Sequence, residues 1–119
     1  MRADMGPATP RELVSFVFGD VEVDERMRRV TRGGVPIALT PREFELLLAM
    51  AKTDGAVSKH YLLDEIWRNS IAPSSRTIDQ HISELRRKLE PNPSHPQYII
   101  TVQRYGYRLE GRWVGRKAS

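Results

Sequence analysis

The chain is best read outward from Arg76-Thr77-Ile78-Asp79-Gln80-His81-Ile82-Ser83-Glu84-Leu85-Arg86-Arg87-Lys88-Leu89. At about 100° per residue, Ile78, Ile82, Leu85 and Leu89 fall within about 60° of arc, so on a helix they form one narrow apolar stripe. Arg76, Gln80, Ser83, Glu84 and Arg87 lie on the opposite face, with Thr77, Asp79, Arg86 and Lys88 on the flanks. The spacing predicts a helix from Ser75 to Leu89 with one edge buried and the other turned outward. His81 falls beside the apolar stripe, where a satisfied, half-buried histidine is expected.

Upstream, Ser58 is placed to cap a helix over 59–67, with Leu62, Leu63, Ile66 and Trp67 as its apolar side. The run Arg68-Asn69-Ser70-Ile71-Ala72-Pro73-Ser74 reads as a loop. Further back, Thr40-Pro41-Arg42-Glu43 has the form of a capping box with proline at the first helical position. Phe44, Leu46, Leu47, Leu48, Met50 and Ala51 follow, apolar nearly all round, as in a helix buried on two sides; Asp54-Gly55 should end it. Before residue 40 the periodicity is that of strands. Segments 14–18, 21–24, 27–32 and 35–39 are separated by Gly19-Asp20, Asp24-Glu25-Arg26 and the hairpin signal Gly33-Gly34. Pro36 assigns the last of them to an edge or a strand start.

Downstream, Glu90-Pro91-Asn92-Pro93-Ser94-His95-Pro96 stops the helix, and 97–103 and 107–111 read as a hairpin turning at Arg104-Tyr105-Gly106. The expected class is α+β: an N-terminal antiparallel sheet, three helices and a C-terminal β-hairpin, the order of a winged helix-turn-helix. The domain is expected over 14–111, preceded by a linker or truncated end at 1–13 and followed by a basic tail at 112–119.

A length of 119 residues fits one domain. There is no cysteine, which excludes disulfides and cysteine–zinc sites and matches a reducing cytoplasm. No apolar run is long enough to cross a bilayer. Residues 1–56 hold eight basic and nine acidic side chains, whereas 57–119 hold eleven basic and six acidic. A neutral half beside a basic half points to an anionic partner.

The outer face of the third helix suits the DNA major groove, which admits a helix. The Gln80 amide matches an adenine edge and Glu84 can accept from cytosine N4. Arg76, Thr77, Arg87 and Lys88 can reach phosphates, which supply affinity and register but no sequence information. Arg104 at the hairpin tip, with Arg108 just beyond, is placed for the minor groove, where the potential is most negative. His60, His81 and His95 lie on different elements without ligand spacing, and no nucleophile motif or phosphate-cradling glycine loop occurs. No catalytic residue, metal or cofactor is therefore expected.

The stretch 76–89 resembles the recognition-helix region of the OmpR/PhoB family of transcription regulators, which shows Arg-Thr-Val-Asp-x-His-Ile followed by Leu-Arg-x-Lys-Leu. Three further stretches agree in order: Leu39–Leu47 with the family's first helix, Leu62-Leu63-Asp64-Glu65-Ile66-Trp67 with its second, and Ile100-Thr101-Val102 with Gly106-Tyr107-Arg108 in its wing. The resemblance implies a bacterial two-component response regulator's output domain that binds double-stranded DNA as a dimer, on direct repeats, behind a receiver domain. It implies phosphate contacts at Trp67, Arg76, Thr77 and Thr101, and groove-facing roles for Asp79, Gln80, Ser83 and Glu84. It also implies a polymerase-contacting loop over 68–75, including Asn69, Ile71 and Ser74. Two departures stand out. Family members often carry basic residues where this chain has Ser83 and Glu84, and the family's wing Arg-Gly-x-Gly-Tyr is here Gln103-Arg104-Tyr105-Gly106-Tyr107. The alternatives are a membrane-anchored or one-component regulator carrying the same domain, and a protein-interaction module that has lost DNA binding.

Overall fold

The computed structural model describes residues 14–70 and 73–115; the linker expected at 1–13, Ile71, and the end of the expected tail at 116–119 lie outside the described residues. In chain order the elements are β1 (Val14–Phe18), β2 (Val21–Asp24), β3 (Arg29–Arg32), β4 (Val35–Pro36), α1 (Pro41–Ala51), β5 (Val57–Ser58), α2 (Lys59–Ile66), α3 (Ser75–Leu89), β6 (Ile99–Val102), β7 (Gly106–Leu109) and β8 (Arg112–Gly115). The described residues divide into two units, 14–37 with 111–115, and those within 38–110.

The first unit is an antiparallel sheet in the order β4-β3-β2-β1-β8. Its strands alternate as half-buried strands should: Val21 and Val23 are buried and Glu22 between them is exposed. Gly33 and Gly34 take φ of +58° and +82°, the left-handed pair that a tight hairpin needs and that side chains resist, and so set Arg32 opposite Val35. Pro36 lies on the edge strand, where its missing N–H is harmless. Residues 112–115, expected in a basic tail, instead form β8 and pair with β1 from Val14↔Gly115 to Val17↔Arg112. The physical reason is that β8 supplies the backbone partners β1 would lack as an edge, and it sets Trp113 edge-on to Phe16 at 5.2 Å.

The second unit packs α1, α2 and α3 against one another, and a three-stranded sheet β5-β7-β6 completes it. The α1 capping box forms as the sequence predicts: Thr40 Oγ1 accepts from the Glu43 N–H at 3.1 Å, and Glu43 Oε1 accepts from the Thr40 N–H at 3.0 Å. The helix stops at Ala51, short of Gly55, whose φ of +102° belongs to the turn beyond. Strand β5 has no counterpart in the sequence reading. Its two residues pair with β7 (Val57↔Tyr107, Ser58↔Gly106), and a Cβ on Gly106 would sit 1.9 Å from the Val57 carbonyl oxygen. The glycine is required by that close approach.

Candidate nucleic-acid interface

Helix α3 runs from Ser75 to Leu89, the limits that its periodicity predicts. Ile78, Ile82, Leu85 and Leu89 are all buried, whereas Arg76, Gln80, Ser83, Glu84 and Arg87 are exposed. The last turn carries Arg86, Arg87 and Lys88, where cations are favoured by the helix dipole. Ser74 precedes the helix, and its N–H donates to Thr77 Oγ1 at 3.4 Å, so the Thr77 hydroxyl already serves the helix start.

The outward residues fall into two groups. For Arg76, Gln80 and Ser83 no side-chain partner occurs among the described residues. Glu84 and Arg87 pair with each other: Arg87 donates to Glu84 Oε1 at 2.7 Å, one turn along the helix. That pairing draws the Glu84 carboxyl below its usual range and raises the Arg87 guanidinium.

Three flank and loop positions differ from expectation. Lys88, expected at a phosphate, turns toward α1 and its Nζ meets Glu43 Oε1 at 2.6 Å, with side-chain exposures of 19% and 6%. Breaking such a pair leaves a buried charge unpaired, typically a loss of about 3–5 kcal/mol, so Lys88 is held inside the unit. Trp67 is only 5% exposed; its ring lies 5.0 Å from His81 and under the Arg42 guanidinium at 5.2 Å. Its indole is thus largely committed to packing between α1 and α3. Arg42 also donates to the Ile66 carbonyl and to Ser70 Oγ at 2.8 and 3.2 Å, tying the start of the loop to α1. His81 is half-buried, with Nδ1 2.8 Å from the Thr77 carbonyl, as a satisfied structural histidine would be.

Asp79 is the third difference. Its Oδ1 accepts from Tyr107 Oη at 2.6 Å and lies 2.9 Å from Lys59 Nζ. Partial desolvation alone would raise its carboxyl, but the bonds from Tyr107 and Lys59, with the nearby Arg86 charge, outweigh it and hold the group below its ordinary value. The carboxylate expected to read a base is therefore engaged with the wing and with α2. Burial, followed by the bond to Asp79, pushes the Tyr107 hydroxyl far up in turn.

In the wing, Tyr105 N–H closes a turn onto the Val102 carbonyl at 3.0 Å, with Arg104 exposed at φ +62°. Positive φ at the third turn position normally selects glycine or asparagine, so the arginine is held at a cost of about 1–2 kcal/mol. Arg108 is half-buried and pairs with Glu110 at 2.6 Å. Thr101 is exposed, and its hydroxyl accepts from Arg86 at 3.0 Å. In the loop, Asn69 and Ser74 are exposed.

Sequence reasoning missed Lys59, Arg86 and Glu90, and it assigned Tyr107 to packing without its bond to Asp79. Glu90 is 2% exposed, and its carboxylate accepts the N–H groups of Gln97, Tyr98 and Ile99, joining the end of α3 to the start of β6. Nothing local marks it, because its partners lie seven to nine residues away across a proline-rich loop. Among the described residues no cluster of three or more His, Asp or Glu could hold a metal, and no helix is long and apolar enough to cross a membrane.

Residues 34–109 match the family model described as "Transcriptional regulatory protein, C terminal". The chain is 39% identical over 100 residues to the DNA-binding response regulator MtrA of Mycolicibacterium smegmatis, covering 83% of this chain and 43% of that protein. It is 38% identical over 104 residues to the transcriptional regulatory protein ResD of Bacillus subtilis, covering 86% and 43%. The chain thus spans less than half the length of these relatives. Among solved structures, the response regulator DrrB of Thermotoga maritima, an OmpR/PhoB homologue, superimposes with a TM-score of 0.73 at 32% identity over 80% of this chain and 43% of that one. The DNA-binding domain of Klebsiella pneumoniae RstA, solved with its RstA box, gives 0.69 at 30% identity over 80% and 95%.

Proposed function

Because this chain belongs to the OmpR/PhoB family of transcriptional regulatory C-terminal domains, we propose that it binds double-stranded DNA sequence-specifically as the output domain of a response regulator. The observation that carries this reading is the outer face of α3, where Arg76, Gln80 and Ser83 stand exposed opposite four buried apolar residues. In this reading α3 enters the major groove. Gln80 and Ser83 read base edges, with Glu84 accepting from a cytosine once its pairing with Arg87 loosens. Arg76, Arg87, Thr77 and Thr101 contact phosphates, and Trp67 supports the helix from within.

Arg104 approaches the adjacent minor groove, and the exchange partner of Arg108 becomes a phosphate in place of Glu110. The domain binds as a dimer on direct repeats about one helical turn apart. A receiver domain N-terminal to it raises the effective concentration of the pair. The loop holding Asn69, Ile71 and Ser74 meets RNA polymerase. A second reading, a protein-interaction module without DNA binding, draws support from the Glu84–Arg87 pair, which neutralises part of the outer face.

Selection of bound sites from random duplex DNA, followed by a salt titration on the best site, tests the proposal. A repeated motif should be enriched, and log affinity should fall linearly with log salt, at about 0.9 per phosphate neutralised. No enrichment, and no duplex binding even in dilute buffer, would leave the interaction module as the better account.

A further inference from the structure

Asp79 and Arg86 lie two turns apart on one flank of α3, the flank turned toward the wing. Each engages a different strand of that hairpin. Asp79 accepts from Tyr107 on β7 at 2.6 Å. Arg86 donates to the Ile99 carbonyl at 2.7 and 3.2 Å and to Thr101 Oγ1 at 3.0 Å, both on β6, and its guanidinium lies 5.5 Å from the Tyr107 ring centroid. Lys59, at the start of α2, closes the group from the other side. Its Nζ pairs with Asp79 at 2.9 Å and sits 5.7 Å from the Tyr107 ring, and its N–H donates to the Tyr105 carbonyl at 3.1 Å. One carboxylate thus joins α3, α2 and the wing, and both its bonds come from outside its own helix.

We propose that Asp79 is a positioning residue of the interface, which sets the pitch of the wing against α3 through Tyr107 and Lys59 and reads no base itself. The inference deepens the DNA-binding reading and rests on it for its consequence, but the coupling it describes is a property of the free protein. A wing fixed to the reading helix presents Arg104 and the α3 face to two grooves at once. A wing free to swing must be ordered on binding, and that ordering weakens affinity without altering which bases are preferred.

Two mild variants separate positioning from reading. Tyr107→Phe removes only the hydroxyl and keeps the ring. Asp79→Asn keeps the shape but adds donor hydrogens where the carboxylate only accepts, so at a base-reading position it would change the preferred base. Hydrogen–deuterium exchange of the free protein and selection of sites from random duplex DNA are measured for both variants and for the double variant. Exchange of β6 and β7 amides should quicken up to about fivefold in each single variant, with the double variant no faster than Asp79→Asn alone. The selected motif should stay that of the unaltered chain. Unchanged wing exchange, or additive effects in the double variant, overturns the coupling. A new base at one position in Asp79→Asn alone overturns the positioning role in favour of base reading. If the unaltered chain selects no motif, the functional reading fails, while the exchange data still decide whether Asp79 holds the wing.

Discussion

Replacing Glu90 by glutamine tests how the wing is anchored to the end of α3. The two carboxylate oxygens divide the work: Oε1 accepts from Gln97 at 2.7 Å, Oε2 from Ile99 at 2.7 Å, and Tyr98 lies between them at 3.2 and 3.0 Å. Glutamine has nearly the same volume, so no cavity complicates the reading. One oxygen, however, becomes an NH2 group whose hydrogens point at backbone donors. Ile99 is fully buried and Gln97 is exposed. The amide should therefore keep its oxygen on Ile99 and leave Gln97 to water. The loss is one charge-assisted bond, about 1.5–3 kcal/mol, with the remaining bonds weakened from charge-assisted to neutral.

A total of about 2–3 kcal/mol follows, and at roughly 3–5 °C per kcal/mol for a chain of this size the melting temperature should fall by about 10 °C. Thermal unfolding followed by circular dichroism at neutral pH reads the shift. Hydrogen exchange at the Ile99 amide should show its local origin. A melting point within about 2 °C of the unaltered chain would refute the reasoning, since it would mean that water serves these donors as well as the buried carboxylate.

Four further outcomes are expected. Gly106→Ala places a methyl group 1.9 Å from the Val57 carbonyl; β5 and β7 must separate, at about 1–3 kcal/mol in a urea titration, and unchanged stability would remove the close approach from the account. Asp79→Asn should destabilise by no more than about 1 kcal/mol at pH 6, because the site is partly exposed. Its folded carboxyl lies below the ordinary value of 3.8, so the contribution is present above 3.8 and lost as pH falls through the lower folded value; the stability gap to the variant should narrow as pH falls below 3.8, and a constant gap would contradict the assignment. Gln80→Ala should relax preference at one base pair, at about 1–3 kcal/mol on the best site, where equal weakening on all sequences would argue against base reading. Arg87→Ala should weaken all duplexes alike and lower the salt slope by about one unit; an unchanged slope would mean that Arg87 stays with Glu84 on DNA.

Local chemistry was enough to read the three helices and most of the strands. Ser75–Leu89 is a helix because its apolar residues recur at helical spacing, and α1 starts at Pro41 because Thr40 and Glu43 satisfy each other's backbone across three residues. The same periodicity separated the buried edge of α3 from the exposed edge that holds Arg76, Gln80, Ser83, Glu84 and Arg87. It could not say which polar side chains on the flanks would remain available.

Lys88 is bound to Glu43, Asp79 to Tyr107, and Glu90 to three amides beyond a proline-rich loop. Likewise the two residues of β5 are too few to show a period of their own, and β5 and β8 are paired because β7 and β1 offer them backbone partners. Periodicity and capping act within one or two turns of chain, so the order of residues alone specifies them. An ion pair across 45 residues, or a two-residue strand, is specified only when packing brings distant segments within about 3 Å of each other.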